Sequence, residues 1–201
     1  MKYFKEVDVR VDFSSIKYEN SKPLGYIKTA CMHYEENGQS KRWDIVESLD
    51  SVCIALFDVS KQAFVLVRQF RPAVFHTRQD GYTYEFCAGL ADKEGKSLEV
   101  MAVEEVLEEC GYAIKPEDLH FIGSFLNAAG MSGSMQYLYY AEVGDYCRVH
   151  EGGGIDDECI EVLYLPLEES LDFIFDSKIQ KSTSLFAGIH WYHYSYKSGE
   201  K

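Results

Sequence analysis

At 201 residues the chain is long enough for one domain of ordinary to large size, or one domain with a small extension. Its 46% hydrophobic and 14% aromatic content, with 15 Tyr and 12 Phe, excludes a disordered chain and favours a strand-rich core. A formal net charge of −13 argues against direct docking on nucleic acid or an anionic membrane, because neither counterion release nor polybasic attraction is on offer; a phosphate substrate would need added cations.

Residues 1–46 alternate apolar and polar positions, at Val7, Val9, Val11 and Phe13 and again over 26–34, with breaks at Ser21, Lys22 and Pro23 and a turn at Asn37 and Gly38. The pattern predicts an antiparallel N-terminal sheet of two or three strands. So small a sheet needs a surface to pack on, either the main domain or a second subunit. From Asp50 the pattern changes to nearly continuous apolar strands over 52–59 and 63–70, joined by a turn at 58–61. A strand over 82–88 leads into a glycine loop and a helix. Beyond Gly111 come a turn at 115–118, strands over 120–126 and 135–143 separated by a Gly/Ser loop at 128–134, a glycine-rich acidic loop at 151–158 and a strand over 160–165. The end reads as two helices, 167–175 and 181–194. This order predicts an α+β sandwich of mixed sheets with helices on both faces.

No apolar signal core follows the N-terminus, and no run of 18 apolar residues occurs, so export and membrane spanning are disfavoured. The six cysteines (Cys31, Cys53, Cys87, Cys110, Cys147, Cys159) form no CxxC pair and read as reduced core thiols of a cytosolic protein.

The helix after the glycine loop carries the chemistry. Ser97 suits its N-cap, Glu99 the positive end of its dipole, and Gly111 the left-handed position that ends it. At about 100° per residue Val100, Val103, Leu107 and Cys110 form one apolar stripe, with Glu105, Glu108 and Glu109 roughly opposite. A plain acidic face is the ordinary reading of such a run. Against it, Glu105 and Glu109 stack like charges at i, i+4, a repulsion that a hard divalent cation, Mg²⁺ or Mn²⁺, would convert into binding.

The stretch from Cys87 to Tyr112 resembles the Nudix box, GX₅EX₇REUXEEXGU with U aliphatic. Glu105, Val106, Glu108, Glu109 and Gly111 match its second half, with Tyr112 at the last hydrophobic position. The first half departs: Gly89 lies one residue early, Lys96 stands at the first glutamate and Glu104 at the arginine. The family pairs those two side chains, so Lys96 and Glu104 are expected to form the same pair with exchanged signs, their charged ends within about 4 Å. The stretches RWDIVESLDSV, FVLVRQFRPAV, YEFCAGLAD and IEVLYLPLEE extend the resemblance to the ADP-ribose and nucleoside-diphosphate-sugar diphosphatases over most of the chain. CAGL, EECGY, GMSGSMQ and GGG favour the UDP-glucose branch, as does Ser134 in place of a glutamate frequent in ADP-ribose enzymes.

The resemblance implies a Nudix α/β/α sandwich over 47–201 with residues 1–46 as an N-terminal β-sheet extension for dimerisation and base contact. It implies a metal cluster of the Ala88 carbonyl, Glu105 and Glu109, with Glu108 assisting directly or through water. Mg²⁺ would be the cofactor, Mn²⁺ an alternative. For a general base, the loop Gly152, Gly153, Gly154, Asp156, Asp157, Glu158 takes the place of the family's mobile loop; Glu158 comes first and Asp157 second, against the plainer reading of an acidic surface loop. Arg71 and Arg68 are candidates for the diphosphate, because guanidinium matches phosphate oxygens bidentately. Glu85 lies within an aromatic strand and, if buried, needs a partner, either Arg71 or a metal-bound water. Trp43 aligns with a tryptophan that stacks on the base in ADP-ribose relatives, against a plain role in a core or dimer interface. The six histidines read as structural. The expected activity is Mg²⁺-dependent hydrolysis of a nucleoside diphosphate sugar, UDP-glucose-like, to nucleoside monophosphate and sugar 1-phosphate, by a cytosolic homodimer. The alternatives are an ADP-ribose diphosphatase giving AMP and ribose 5-phosphate, and a catalytically silent nucleotide-binding module of the same fold.

Overall fold

In a computed structural model describing residues 3–4, 11–18 and 27–196, two strands, β1 (Lys28–Glu36) and β2 (Gln39–Glu47), pair antiparallel around the Asn37–Gly38 turn. Both turn residues have positive φ, which asparagine and glycine tolerate best. This hairpin is its own sheet and stands mostly in solvent. The expected strand positions Val7 and Val9, and the break at Ser21, Lys22 and Pro23, lie outside the described residues.

The main sheet has seven strands: β3 (Ser51–Asp58), β4 (Ala63–Phe70), β5 (Tyr82–Glu85), β6 (Cys87–Leu90), β7 (His120–Leu126), β8 (Met135–Val143) and β9 (Glu161–Pro166). A path β5-β4-β3-β8-β7 runs across it, with β6 added to β3 and β9 to β4. β3 and β8 are parallel, and the remaining pairs antiparallel. The strand expected over 82–88 is in fact two, β5 and β6, parted at Phe86, so that one stretch edges β4 and the next edges β3.

Helices α1 (Pro72–Arg78), α2 (Leu98–Cys110), α3 (Ser170–Phe175) and α4 (Thr183–Trp191) complete the fold. The unbroken apolar run of β3 follows from burial on both faces. Val52, Ile54 and Leu56 meet Ala102, Val106 and Cys110 of α2, whereas Cys53, Ala55 and Phe57 join the cluster of Phe173, Leu185 and Ile189 from α3 and α4. Helix α1 was not expected. Proline at its first position and Gln79 in a left-handed closing position bound a helix of 7 residues, too brief to show a hydrophobic period.

Three further expectations need correction. The buried stripe of α2 is Met101, Ala102, Val106, Glu109 and Cys110; Leu107 is exposed and Val103 only partly covered. Counting apolar residues rotated the helix wrongly because a carboxylate, Glu109, sits on the inward face. The segment after β5 expected as a glycine loop is strand β6. Of the six thiols, Cys53, Cys87 and Cys110 are buried, but Cys31 and Cys159 are exposed. Among the described residues no helix is long and apolar enough to cross a membrane.

Candidate active site

Helix α2 begins where the Ser97 hydroxyl accepts the Val100 N–H at 3.3 Å and ends at Gly111 in the left-handed conformation. Between these caps Glu105, Glu108 and Glu109 face a cleft of about 820 Å³, lined also by Ser51 of β3, Gln69 of β4 and Gln136 of β8. Strand β6 forms the facing wall. Gly89 leaves room there for the Glu105 carboxyl group, which a Cβ at that position would displace. The glutamate thus lies directly against the strand backbone.

Glu109 is almost fully buried, and its Oε2 accepts the Ala88 N–H at 3.0 Å. Burial pushes its carboxyl up to about 8, despite that bond and the Cys87 thiol beside it. Glu105 is pushed up to about 7 by burial and next by the neighbouring Glu108 charge. Two partly desolvated carboxylates held near protonation at neutral pH are an environment that a hard cation would reverse. The donors therefore fit Mg²⁺ or Mn²⁺ in kind. No three His, Cys, Asp or Glu side chains among the described residues form a ready metal cage, so water and substrate oxygens would complete the shell.

Arg71 and Glu85 lie across the cleft. Arg71 closes the N-terminus of α1, and its guanidinium grips Glu85 with two bonds, Nε to Oε1 at 2.9 Å and Nη2 to Oε2 at 2.7 Å. The Thr83 hydroxyl adds a third bond to Oε1 at 2.5 Å. Burial alone would raise the Glu85 carboxyl, but Arg71 and Thr83 outweigh it and hold it below its ordinary value. Of the two partners considered for Glu85, the protein supplies Arg71.

Asp156, Asp157 and Glu158 line the third side. Their loop is built onto α2: the Gly153 N–H donates to the Glu109 carbonyl at 2.8 Å and the Gly154 N–H to the Glu108 carbonyl at 3.2 Å. Gly152, Gly153 and Gly154 all have φ between +77 and +115°, and a Cβ on Gly152 would overlap the Glu109 carbonyl oxygen. The Glu158 carboxylate folds back onto the Ile155 N–H at 3.0 Å. The acidic loop is exposed at its tip, yet anchored at its base.

One cleft thus gathers Glu105, Glu108, Glu109, Ala88, Arg71, Glu85, Asp157 and Glu158. Arg68 and Trp43 are not among its lining residues. Arg68 is buried, bound to Glu161 at 3.0 Å and stacked over Tyr82, because inward alternation along β4 turns it away from Arg71. Trp43 stands half exposed on β2, its indole N–H donating to the Gly130 carbonyl at 2.8 Å. Sequence reasoning missed Lys93, whose ammonium lies 2.9 Å from Glu104 and 4.0 Å from Glu108 within the cleft wall. A lysine between a glycine and a helix cap carries no periodic signal. The Lys96 ammonium meets Glu104 at 2.5 Å, the expected pair with exchanged signs.

Around the cleft the eight acids Glu85, Asp92, Glu105, Glu108, Glu109, Asp156, Asp157 and Glu158 face two cations, Arg71 and Lys93. An anionic substrate would enter only with compensating positive charge.

No established family profile matches the chain. Curated relatives do. The uridine diphosphate glucose pyrophosphatase NUDT14 of Bos taurus is 38% identical over 195 residues, covering 83% of this chain and 88% of its own length. Its Mus musculus counterpart is 34% identical over the same coverage. A GDP-mannose pyrophosphatase of an Enterobacter species is 34% identical over 143 residues, 71% of this chain and 73% of its own.

Proposed function

Because the chain belongs to the Nudix hydrolases, in their group of nucleoside-diphosphate-sugar diphosphatases, we propose that it splits the diphosphate of a nucleoside diphosphate sugar, UDP-glucose first, in a Mg²⁺-dependent reaction. The observation that carries this reading is the meeting of Glu105, Glu108 and Glu109 with Arg71 in one acidic cleft.

Water adds to one phosphorus, the bridging P–O bond breaks, and the products are nucleoside monophosphate and sugar 1-phosphate. A divalent cation bound by Glu105 and Glu109, with the Ala88 carbonyl and Glu108 assisting, would neutralise the diphosphate and acidify the attacking water. Arg71 is oriented by Glu85 so that its outer N–H groups remain for a phosphate oxygen. Glu158 is assigned as the base that takes the water proton, after leaving the Ile155 N–H, and Asp157 is its substitute.

The same reading makes residues 1–46 a dimerisation extension of a hydrolase domain over 47–201. Its motive is the exposed hairpin, where Met32 and Trp43 stand about half in solvent, and Trp43 is assigned to the nucleobase. A cytosolic setting is inferred from the free thiols.

The test is incubation with UDP-glucose and with GDP-mannose, with Mg²⁺ and with EDTA. UMP and glucose 1-phosphate formed only with Mg²⁺ support the proposal. GMP and mannose 1-phosphate formed faster would move the preference to the second substrate, which the names of the bacterial relatives motivate. If neither mixture yields a nucleoside monophosphate, the assigned substrates fail, in favour of a different substrate or a binding module.

A further inference from the structure

Glu105, Glu108 and Glu109, the three glutamates of α2 that line the cleft, are not equivalent in their surroundings. Lys96 bonds one oxygen of Glu104 at 2.5 Å and Lys93 the other at 2.9 Å. Two ammonium groups therefore share a single carboxylate, leaving one positive charge in excess. The nearest further acid is Glu108, one helical turn on, whose Oε1 is 4.0 Å from the Lys93 ammonium. The sequence of signs is Lys96 plus, Glu104 minus, Lys93 plus, Glu108 minus: a neutral row along one edge of the helix. At ion-pair distance this row reaches neither Glu105 nor Glu109 among the described residues, and the Lys93 charge acts on Glu105 only from further off.

The row ends inside the cleft, since Lys93 and Glu108 both line it. Lys93 comes from the segment between Gly89 and the Ser97 cap, which holds one residue more than the family spacing allows. Held by Glu104, its ammonium cannot leave Glu108 without breaking a shorter bond. An ammonium so placed competes for Glu108 with any divalent cation, because a cation on that carboxylate would stand close to a like charge in a partly dehydrated cleft.

We propose that Lys93 is a positioning residue, a fixed counter-ion that reserves Glu108 and limits the divalent cations the cleft takes up before substrate arrives. Glu105 and Glu109 are then the primary cation ligands, and Glu108 is held back as a hydrogen-bond acceptor facing the cleft until substrate brings in the cation it assists. The inference rests on the diphosphatase reading only in taking a divalent cation as the ligand of those two glutamates.

The experiment is a Mn²⁺ titration of the full chain, read by the electron paramagnetic resonance of free Mn²⁺ in the absence of substrate. Lys93 is about a third exposed, and a circular-dichroism melt checks that Lys93→Met retains the fold. This variant is expected to bind one further Mn²⁺ per chain, or to tighten the weakest site about tenfold. Lys93→Arg keeps the wild-type isotherm, and so does Lys96→Met, which removes a charge from the far end of the row. An unchanged isotherm in Lys93→Met overturns the proposal, as does weaker binding, which would make Lys93 an organiser of the glutamates instead. Absence of Mn²⁺ binding in every protein overturns it together with the cation reading. UDP-glucose hydrolysis is measured separately: no turnover with the expected Mn²⁺ pattern rejects the substrate and leaves the role of Lys93 standing.

Discussion

Lys96 and Glu104 meet at 2.5 Å with their charges reversed relative to the glutamate and arginine of the family box. The exchange is not freely reversible, because Lys93 also binds Glu104. Lys96→Glu combined with Glu104→Arg restores the family pair but sets the new arginine against Lys93. Thermal melts are expected to place this double variant below the wild type by about 0.2–1 kcal/mol, the scale of an exposed pair. Adding Lys93→Met should recover the loss; full stability in the double variant alone would show that Lys93 contributes nothing there.

Glu109→Gln keeps an acceptor for the Ala88 N–H but removes a buried charge. Turnover is expected to fall on the order of 100-fold, as for loss of one preorganised electrostatic contact. Stability moves the other way when metal is withheld. The folded-state carboxyl of Glu109 is raised from 4.5 to about 8, so its contribution is complete below 4.5 and lost as pH rises through 8. In EDTA at pH 9 the variant should melt above the wild type, and Mg²⁺ should reverse that order.

Arg71→Ala strands Glu85, which is only 14% exposed, whereas Arg71 itself is 42% exposed. The expected cost is about 1–3 kcal/mol in a denaturant melt, reduced from a fully buried pair by that exposure. Adding Glu85→Gln should return most of it without returning activity. Arg71→Lys retains charge but not the two-pronged grip, and should raise KM roughly tenfold with a smaller change in kcat.

Asp58 gives the fold an acid limit. It is fully buried and accepts bonds from the Tyr112 hydroxyl at 2.8 Å, the Lys61 ammonium at 2.8 Å and the Ser60 and Lys61 N–H groups at 2.9 Å. Burial would raise its carboxyl, but these donors outweigh it and lower the value below 3.8. Its contribution is present above 3.8 and lost as pH falls through the lower folded value. Asp58→Asn should lower the melting temperature at pH 7 and flatten its decline as pH falls below 3.8. A parallel decline in both proteins would remove Asp58 from the acid limit.

The strands at 63–70, 120–126 and 135–143 were legible from the sequence alone, because a long apolar or alternating run has one sensible placement in a covered sheet. The caps Ser97 and Gly111 were legible for chemical reasons: few residue types satisfy a helix N-terminus or a left-handed backbone. The face of α2 was not. Glu109 occupies an inward position that any hydrophobic count awards to an apolar residue, and only the strand opposite, with Gly89 giving room to Glu105, shows the acids turned inward. Arg68 and Arg71 looked interchangeable at three residues apart, yet the pleat of β4 buries the first, and the start of α1 aims the second at Glu85. The exposed Cys31 and Cys159 show the limit of reading burial from residue type.

The amides of Gly153 and Gly154 close the carbonyl end of α2 from a segment far downstream. In a chain emerging from the ribosome, the helix is complete long before its lid of amides exists. Gly111 already closes the Leu107 carbonyl, but those of Glu108 and Glu109 wait for the triple-glycine segment. The acidic cleft is therefore complete only when residues 152–154 have docked on the helix that carries its glutamates.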